Sequence, residues 1–222
     1  MGLAVGISGL AFGAAAVAAG LSAAQACVLS LVAFSGASQF ALIGVISGGG
    51  SLIAGAVGAV LLGGRNGLYG LRLAGTLQVR GWRRLLTAQV VIDETTAVAT
   101  AQPDTGSARA GFFATAVSIF TTWNLTTLLG ALGAARLGDP QTFGLDVVGP
   151  AAFLALLWPR LSAGPAERRV AVGAAVIALV ATPLLPSGIP IMLAAVAALA
   201  GAFPRTRKTR TQKSLTWKDW HR

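Results

Sequence analysis

Acidic side chains are nearly missing: the 222 residues hold 7 Asp and Glu, with one His and one Cys. Hydrolytic and metal chemistry need carboxylates, imidazoles or thiolates in clusters, and no Ser/His/Asp set or metal-spaced group can be assembled from so few. The lone Cys27 excludes an internal disulfide framework. No GxxxxGK[ST] loop occurs, which argues against ATP hydrolysis by a phosphate loop. Charge of either sign is also short, at 11% of residues against about 25% in soluble proteins. With 55% hydrophobic residues, too little polar surface remains to cover a water-soluble globule. These deficits predict an integral membrane protein that is not an enzyme and needs neither cofactor nor metal.

The net charge of +10 does not point to nucleic acid, because of where it lies. Arg205, Arg207, Lys208, Arg210, Lys213, Lys218 and Arg222 crowd the end of the chain with only Asp219 opposing them. The sequence therefore divides into a membrane-embedded domain, 1–204, and a basic tail, 205–222, suited to anionic lipid headgroups on the cytoplasmic side. Trp217 and Trp220 suit the same interface, and His221 stands alone in the tail.

Crossing the hydrocarbon core takes about 20 apolar residues in a helix that satisfies its own backbone. Stretches 2–20 and 26–46 meet that requirement, the first reading as a retained helix because no basic segment precedes it. Stretches 51–62 and 66–79 are shorter and are divided by Gly63–Gly64–Arg65–Asn66–Gly67. Stretches 111–135, 143–158, 170–185 and 190–203 follow. Segment 85–101 carries Asp93 and Glu94 at its middle, a costly placement in lipid. Arginines at 80, 83 and 84, then at 160, 168 and 169, mark two cytoplasmic loops, and an odd number of crossings between them is inconsistent. Segment 85–101 is accordingly expected to be re-entrant or broken. The expected fold is an all-α polytopic membrane domain of six to seven spanning or half-spanning helices. Glycine runs such as Ser47–Gly48–Gly49–Gly50–Ser51 either interrupt helices or permit tight helix packing, as in Gly2/Gly6, Gly9/Gly13, Gly44/Gly48 and Gly63/Gly67. Packing is the better account for most of the 29 glycines.

The candidate transport residues are the polar ones at membrane depth. Asp93 and Glu94, about 100° apart on a helix, allow one acid to face a cavity and relay a proton or bind an ammonium while the other pairs with an arginine. The plainer alternative is a helix end at the cytoplasmic interface, with both acids solvated or bridged to Arg83 or Arg84. Arg65, with Asn66 and Tyr69, offers a bidentate clamp for a carboxylate or a counter-charge for an acid, whereas Arg72 reads as an interfacial arginine. Gly36, Ser38 and Gln39 form a polar island in one apolar run, and Trp123 and Asn124, among Thr121, Thr122, Thr126 and Thr127, form another. Each island alone is most simply an interhelical contact; facing each other they would line a path. Pro150 interrupts a further run.

Taken in order, Gly9–Leu10–Ala11–Phe12–Gly13, Ser35–Gly36–Ala37–Ser38–Gln39–Phe40, Arg65–Asn66–Gly67–Leu68–Tyr69–Gly70, Asp93–Glu94 and Gly149–Pro150–Ala151–Ala152–Phe153 resemble the AzlC family, the large permease subunit of two-component branched-chain amino-acid exporters. The resemblance implies a bacterial inner-membrane secondary transporter of branched-chain amino acids and a small hydrophobic AzlD-type partner. The family usually has His at the position of Asn66, Ser at Arg72, Thr at Ile92 and Gly at Thr126. On this reading Gly36, Ser38 and Gln39 shape the path, Arg65 attracts a carboxylate, and Asp93 or Glu94 takes the ammonium or a coupling proton. The alternative is a non-transporting assembly subunit of a membrane complex.

Overall fold

The computed structural model describes residues 2–137, 151, 154, 157–158, 161–162, 164–185, 189–190 and 193–194, with side chains from Val5 onward. Expectations for 143–158 and 190–203, for Pro150 and for the basic tail therefore lie largely or wholly outside the described residues. The described chain is helical throughout: α1 Gly2–Ala18, α2 Ala23–Val32, α3 Gly36–Ser47, α4 Leu52–Leu77, α5 Arg83–Gln89, α6 Asp93–Thr100, α7 Thr105–Arg136 and α8 Pro165–Ala181.

Helices α4 and α7 are long and apolar enough to cross a membrane; at 1.5 Å per residue the 26 residues of α4 reach about 39 Å. Their ends are set by local chemistry. Ser51 accepts the Ala54 N–H to start α4, Gln78 ends it in the left-handed conformation, and Asp104 accepts the Ser107 N–H to start α7. The Ser107 N–H and hydroxyl hold the Asp104 carboxyl below its usual range. The outer face of α4 presents Ile53, Val60, Leu61, Leu68 and Leu71, each more than two-thirds exposed, a surface made for lipid rather than water.

Two expectations are corrected here. The break expected at Gly63–Gly67 does not exist: α4 runs unbroken through it, since helices at membrane depth tolerate glycine when their backbone stays paired. Conversely, 26–46 is not one span. It is α2 and α3, separated at residues 33–35; Ser22 and Gln25 form a reciprocal capping box that starts α2.

Registers between helices give the topology. Gly6 lies against Thr122, Gly9 against Trp123 and Thr126, and Gly13 against Thr127 and Ala131, so α1 and α7 are parallel. Gly55 meets Leu42 and Val45 while Gly63 meets Ser38, so α3 is antiparallel to α4. Helix α2 descends from the end where α1 finishes, its Ser30 hydroxyl donating to Asn124 Oδ1 at 2.8 Å. Then α3 returns to that end, Phe40 stacking edge-on against Phe12 at 5.6 Å. On the other side, α5 leaves the far end of α4, and α6 returns towards it: Asp93 sits beside Arg65 at one end of α6, and Thr100 shares a groove with Leu73 and Thr76 at the other. Thus α2–α3 and α5–α6 are two half-length hairpins entering from opposite ends of α4. Segment 85–101 is broken at 90–92 and turns back, as its two acids predicted.

The hairpin tips meet. Gln89 donates both amide hydrogens, to the Leu31 and Val32 carbonyls at 2.8 Å each, meeting acceptors that the end of α2 leaves without helical partners. Phe34, Ile92, Phe12, Phe40 and Trp123 close over them in one core. Gln89→Met keeps the side-chain length but removes both donors. About 1 kcal/mol of local stability is expected to go with them, read as amide hydrogen exchange accelerated several-fold in 29–35 and 86–92 but unchanged in α1.

Candidate functional site

Both hairpin tips end in a helix N-terminus whose N-cap residue makes no side-chain cap bond. Ser35, before α3, makes no cap bond and pairs instead with Ser38 Oγ at 3.2 Å; Ile92, before α6, has no side chain able to cap. By contrast Ser22, Ser51 and Asp104 cap α2, α4 and α7. Thr95, fully buried, holds the second tip by accepting the Ile92 N–H at 3.0 Å and donating to the Val90 carbonyl at 2.9 Å. The positive ends of α3 and α6 are thereby directed into the centre.

Asp93 opens α6 and Arg65 occupies the middle of α4. Their side chains form an ion pair, Arg65 Nη2 to Asp93 Oδ2 at 2.9 Å, with each side chain about one-third exposed, at 34% and 32%. The pairing expected as the plainer alternative, with Arg83 or Arg84, is not formed. Nor does the acid couplet sit mid-helix: it occupies the first turn of a new helix, where carboxylates are favoured by the helix dipole.

The pair's own Arg65 Nε and Asp93 Oδ1 are buried without a partner among the described residues, as are Asn66 Oδ1, Gln39 Oε1, Trp123 Nε1 and Thr96 Oγ1. Buried polar groups are nearly always satisfied, so two orphaned atoms on one ion pair mark a place where something else can bind. Gly36 brings α3 against the Trp123 ring, since a Cβ there would lie 3.0 Å from its edge. The two polar islands therefore meet at Gly36 and Trp123.

Not every candidate residue is left open. Asn124 accepts from Ser30 and donates to the Phe120 carbonyl at 2.8 Å, making it an interhelical tie. Tyr69 packs on the separate cluster of Leu73, Leu77, Val91, Ala99 and Phe112. Glu94, next to Asp93, is half-buried and forms no ion pair among the described residues. Arg72 is exposed and lines a groove with Asp104, away from the central pair. Pro150 lies outside the described residues. Sequence reasoning missed Gln89, Thr95 and Thr96; the signal for the threonines was a hydroxyl pair directly after the acids, in the first turn of a helix that has no cap.

Opposed half-length hairpins around a central ion pair define a helical membrane protein with a polar site at its core. The AzlC protein family model matches residues 1–137, from the first residue to the end of α7. The chain belongs to the AzlC family, a transport-related family rather than an enzyme class. No curated protein and no solved structure matches it.

Proposed function

We propose that this chain is the permease subunit of a branched-chain amino-acid exporter in a bacterial inner membrane, working with a small hydrophobic AzlD-type partner. The observation that carries the reading is the Arg65–Asp93 ion pair, 2.9 Å long, whose Arg65 Nε and Asp93 Oδ1 are buried without a partner among the described residues. A zwitterion can open such a pair and replace it with two. Its carboxylate takes the guanidinium and an uncapped N-terminus, its ammonium takes Asp93, and net charge in the site does not change. A simple anion or cation leaves one of the two residues uncompensated, which is costly at low dielectric. Trp123, Phe34 and Phe40 supply the apolar wall for a branched side chain. Glu94, free of the pair, carries the coupling proton. The basic tail rests on anionic lipid at the cytoplasmic face.

Counterflow of labelled leucine in proteoliposomes holding both subunits tests this. Unlabelled leucine, isoleucine and valine are expected to exchange, while leucinol, lacking the carboxylate, and isocaproate, lacking the ammonium, fail to compete. Equal competition by leucinol would remove Arg65 from recognition. Absence of any counterflow with both subunits present would remove the export reading itself.

A further inference from the structure

A groove of about 620 Å³ runs along α4 on the side of α5, from Asn66 past Gly70 and Leu71 to Arg80 and Arg84. The stretch of α4 that lines it, Asn66 to Gln78, covers about 18 Å at 1.5 Å per residue. The Arg80 and Arg84 guanidinium groups form no ion pair or hydrogen bond among the described residues. Much of the wall is apolar, with Leu71, Leu77, Val79 and Val91. Beside the arginine end, Trp82 is 68% exposed with Arg83 stacked over its ring at 5.9 Å, and Leu85 and Leu86 of α5 point away from the protein. An exposed Trp between arginines, next to outward leucines, is the side-chain pattern of the headgroup level of a bilayer.

We infer that this groove binds one anionic phospholipid, its phosphate held by Arg80 and Arg84 and an acyl chain laid along α4. Charge complementarity selects the occupant. Two unpaired guanidiniums attract a net anion, whereas a zwitterionic amino acid has no net charge for them to gather. Basic pockets between membrane helices on the cytoplasmic side hold anionic headgroups for the same reason. Arg83, drawn onto Trp82, lies outside the groove and takes no part. The inference does not depend on the transported substrate.

The test is native mass spectrometry of the purified full-length protein after equilibration with mixed phosphatidylglycerol and phosphatidylcholine. The wild type is expected to retain one phosphatidylglycerol in preference to phosphatidylcholine. Arg80→Gln and Arg84→Gln are each expected to lower that preference about fivefold, from the attraction of one basic side chain near an anionic surface; Arg83→Gln leaves it unchanged. Glycerol 3-phosphate, which has the phosphate but no acyl chain, is expected not to displace the lipid. Circular dichroism and elution volume establish that each variant is folded. Equal retention of both lipids by the wild type would overturn the inference. So would an equal effect of Arg83→Gln, or displacement by glycerol 3-phosphate. If Arg80→Gln and Arg84→Gln instead raise the KM for leucine and leave lipid retention untouched, the groove is a substrate vestibule and the lipid inference fails.

Discussion

Asp93→Asn is expected to lower leucine counterflow at least about a hundredfold while leaving the protein in the membrane. The substitution keeps the size of the side chain and one acceptor oxygen, and removes the charge that pairs with Arg65 at 2.9 Å. Two losses follow. The ammonium of a zwitterion no longer finds a carboxylate, and Arg65 is left partly buried without compensation; one unpaired charge costs more than an absent pair. The second loss is structural and the first is functional, and a double variant separates them. Asp93→Asn with Arg65→Gln removes both charges, so it is expected to recover the thermal stability lost by the single variant and none of the transport. Near wild-type counterflow by the single variant would show that Asp93 has no part in the path. Recovery of counterflow by the double variant would show that the pair is merely structural.

The largest effect on stability is expected at Gly13 and Gly130. A Cβ at Gly13 would overlap the Thr127 carbonyl, and one at Gly130 would overlap the Leu10 carbonyl. Backbone, unlike a long side chain, cannot rotate away, so even alanine must push α1 off α7. Lipid supplies no hydrophobic drive to hold two apolar helices together, which leaves close backbone packing as the source of their adhesion. Overpacking of this kind costs about 1–3 kcal/mol, and Gly13→Ala with Gly130→Ala is expected to cost more than either alone. Gly58→Ala on α4 is the control, because nothing among the described residues lies within 4 Å of its added Cβ. There the better helix propensity of alanine is expected to add up to about 1 kcal/mol. Denaturant or thermal unfolding in one detergent compares the three. If Gly13→Ala and Gly58→Ala behave alike, α1 and α7 are not held by backbone contact.

Much of this is legible in the sequence. Membrane residence follows from composition, and the failure of 85–101 to span follows from two adjacent acids that lipid would not accept. The small-residue pairing of Gly9 and Gly13 was read correctly as packing. Other elements were misread for identifiable reasons. Ala33–Phe34–Ser35 is mildly apolar, so hydropathy passed over the break between α2 and α3, which depends on chain direction rather than polarity. Gly63 to Gly67 has the composition of a break, yet α4 runs unbroken through it, because glycine is tolerated in a membrane helix whose backbone stays paired. Gln89 carries no signal in its own segment, since the carbonyls it binds lie in Leu31 and Val32, nearly sixty residues earlier in the chain.

The sequence by itself determined that this protein lives in lipid, which residues are expensive there, and that Arg65, Asp93 and Glu94 are the charges needing an explanation. Those are properties of side chains in a solvent, and each can be judged one segment at a time. Only the tertiary structure decided that Arg65 pairs with Asp93 rather than leaving it to Arg83 or Arg84. It also decided that two hairpins enter from opposite ends and meet tip to tip, and that Asn124 is tied while the buried Trp123 Nε1 has no partner among the described residues. These depend on which carbonyls, rings and charges from distant segments arrive within a few ångströms of one another, and helix-on-helix packing sets that distance where no local pattern in the chain records it.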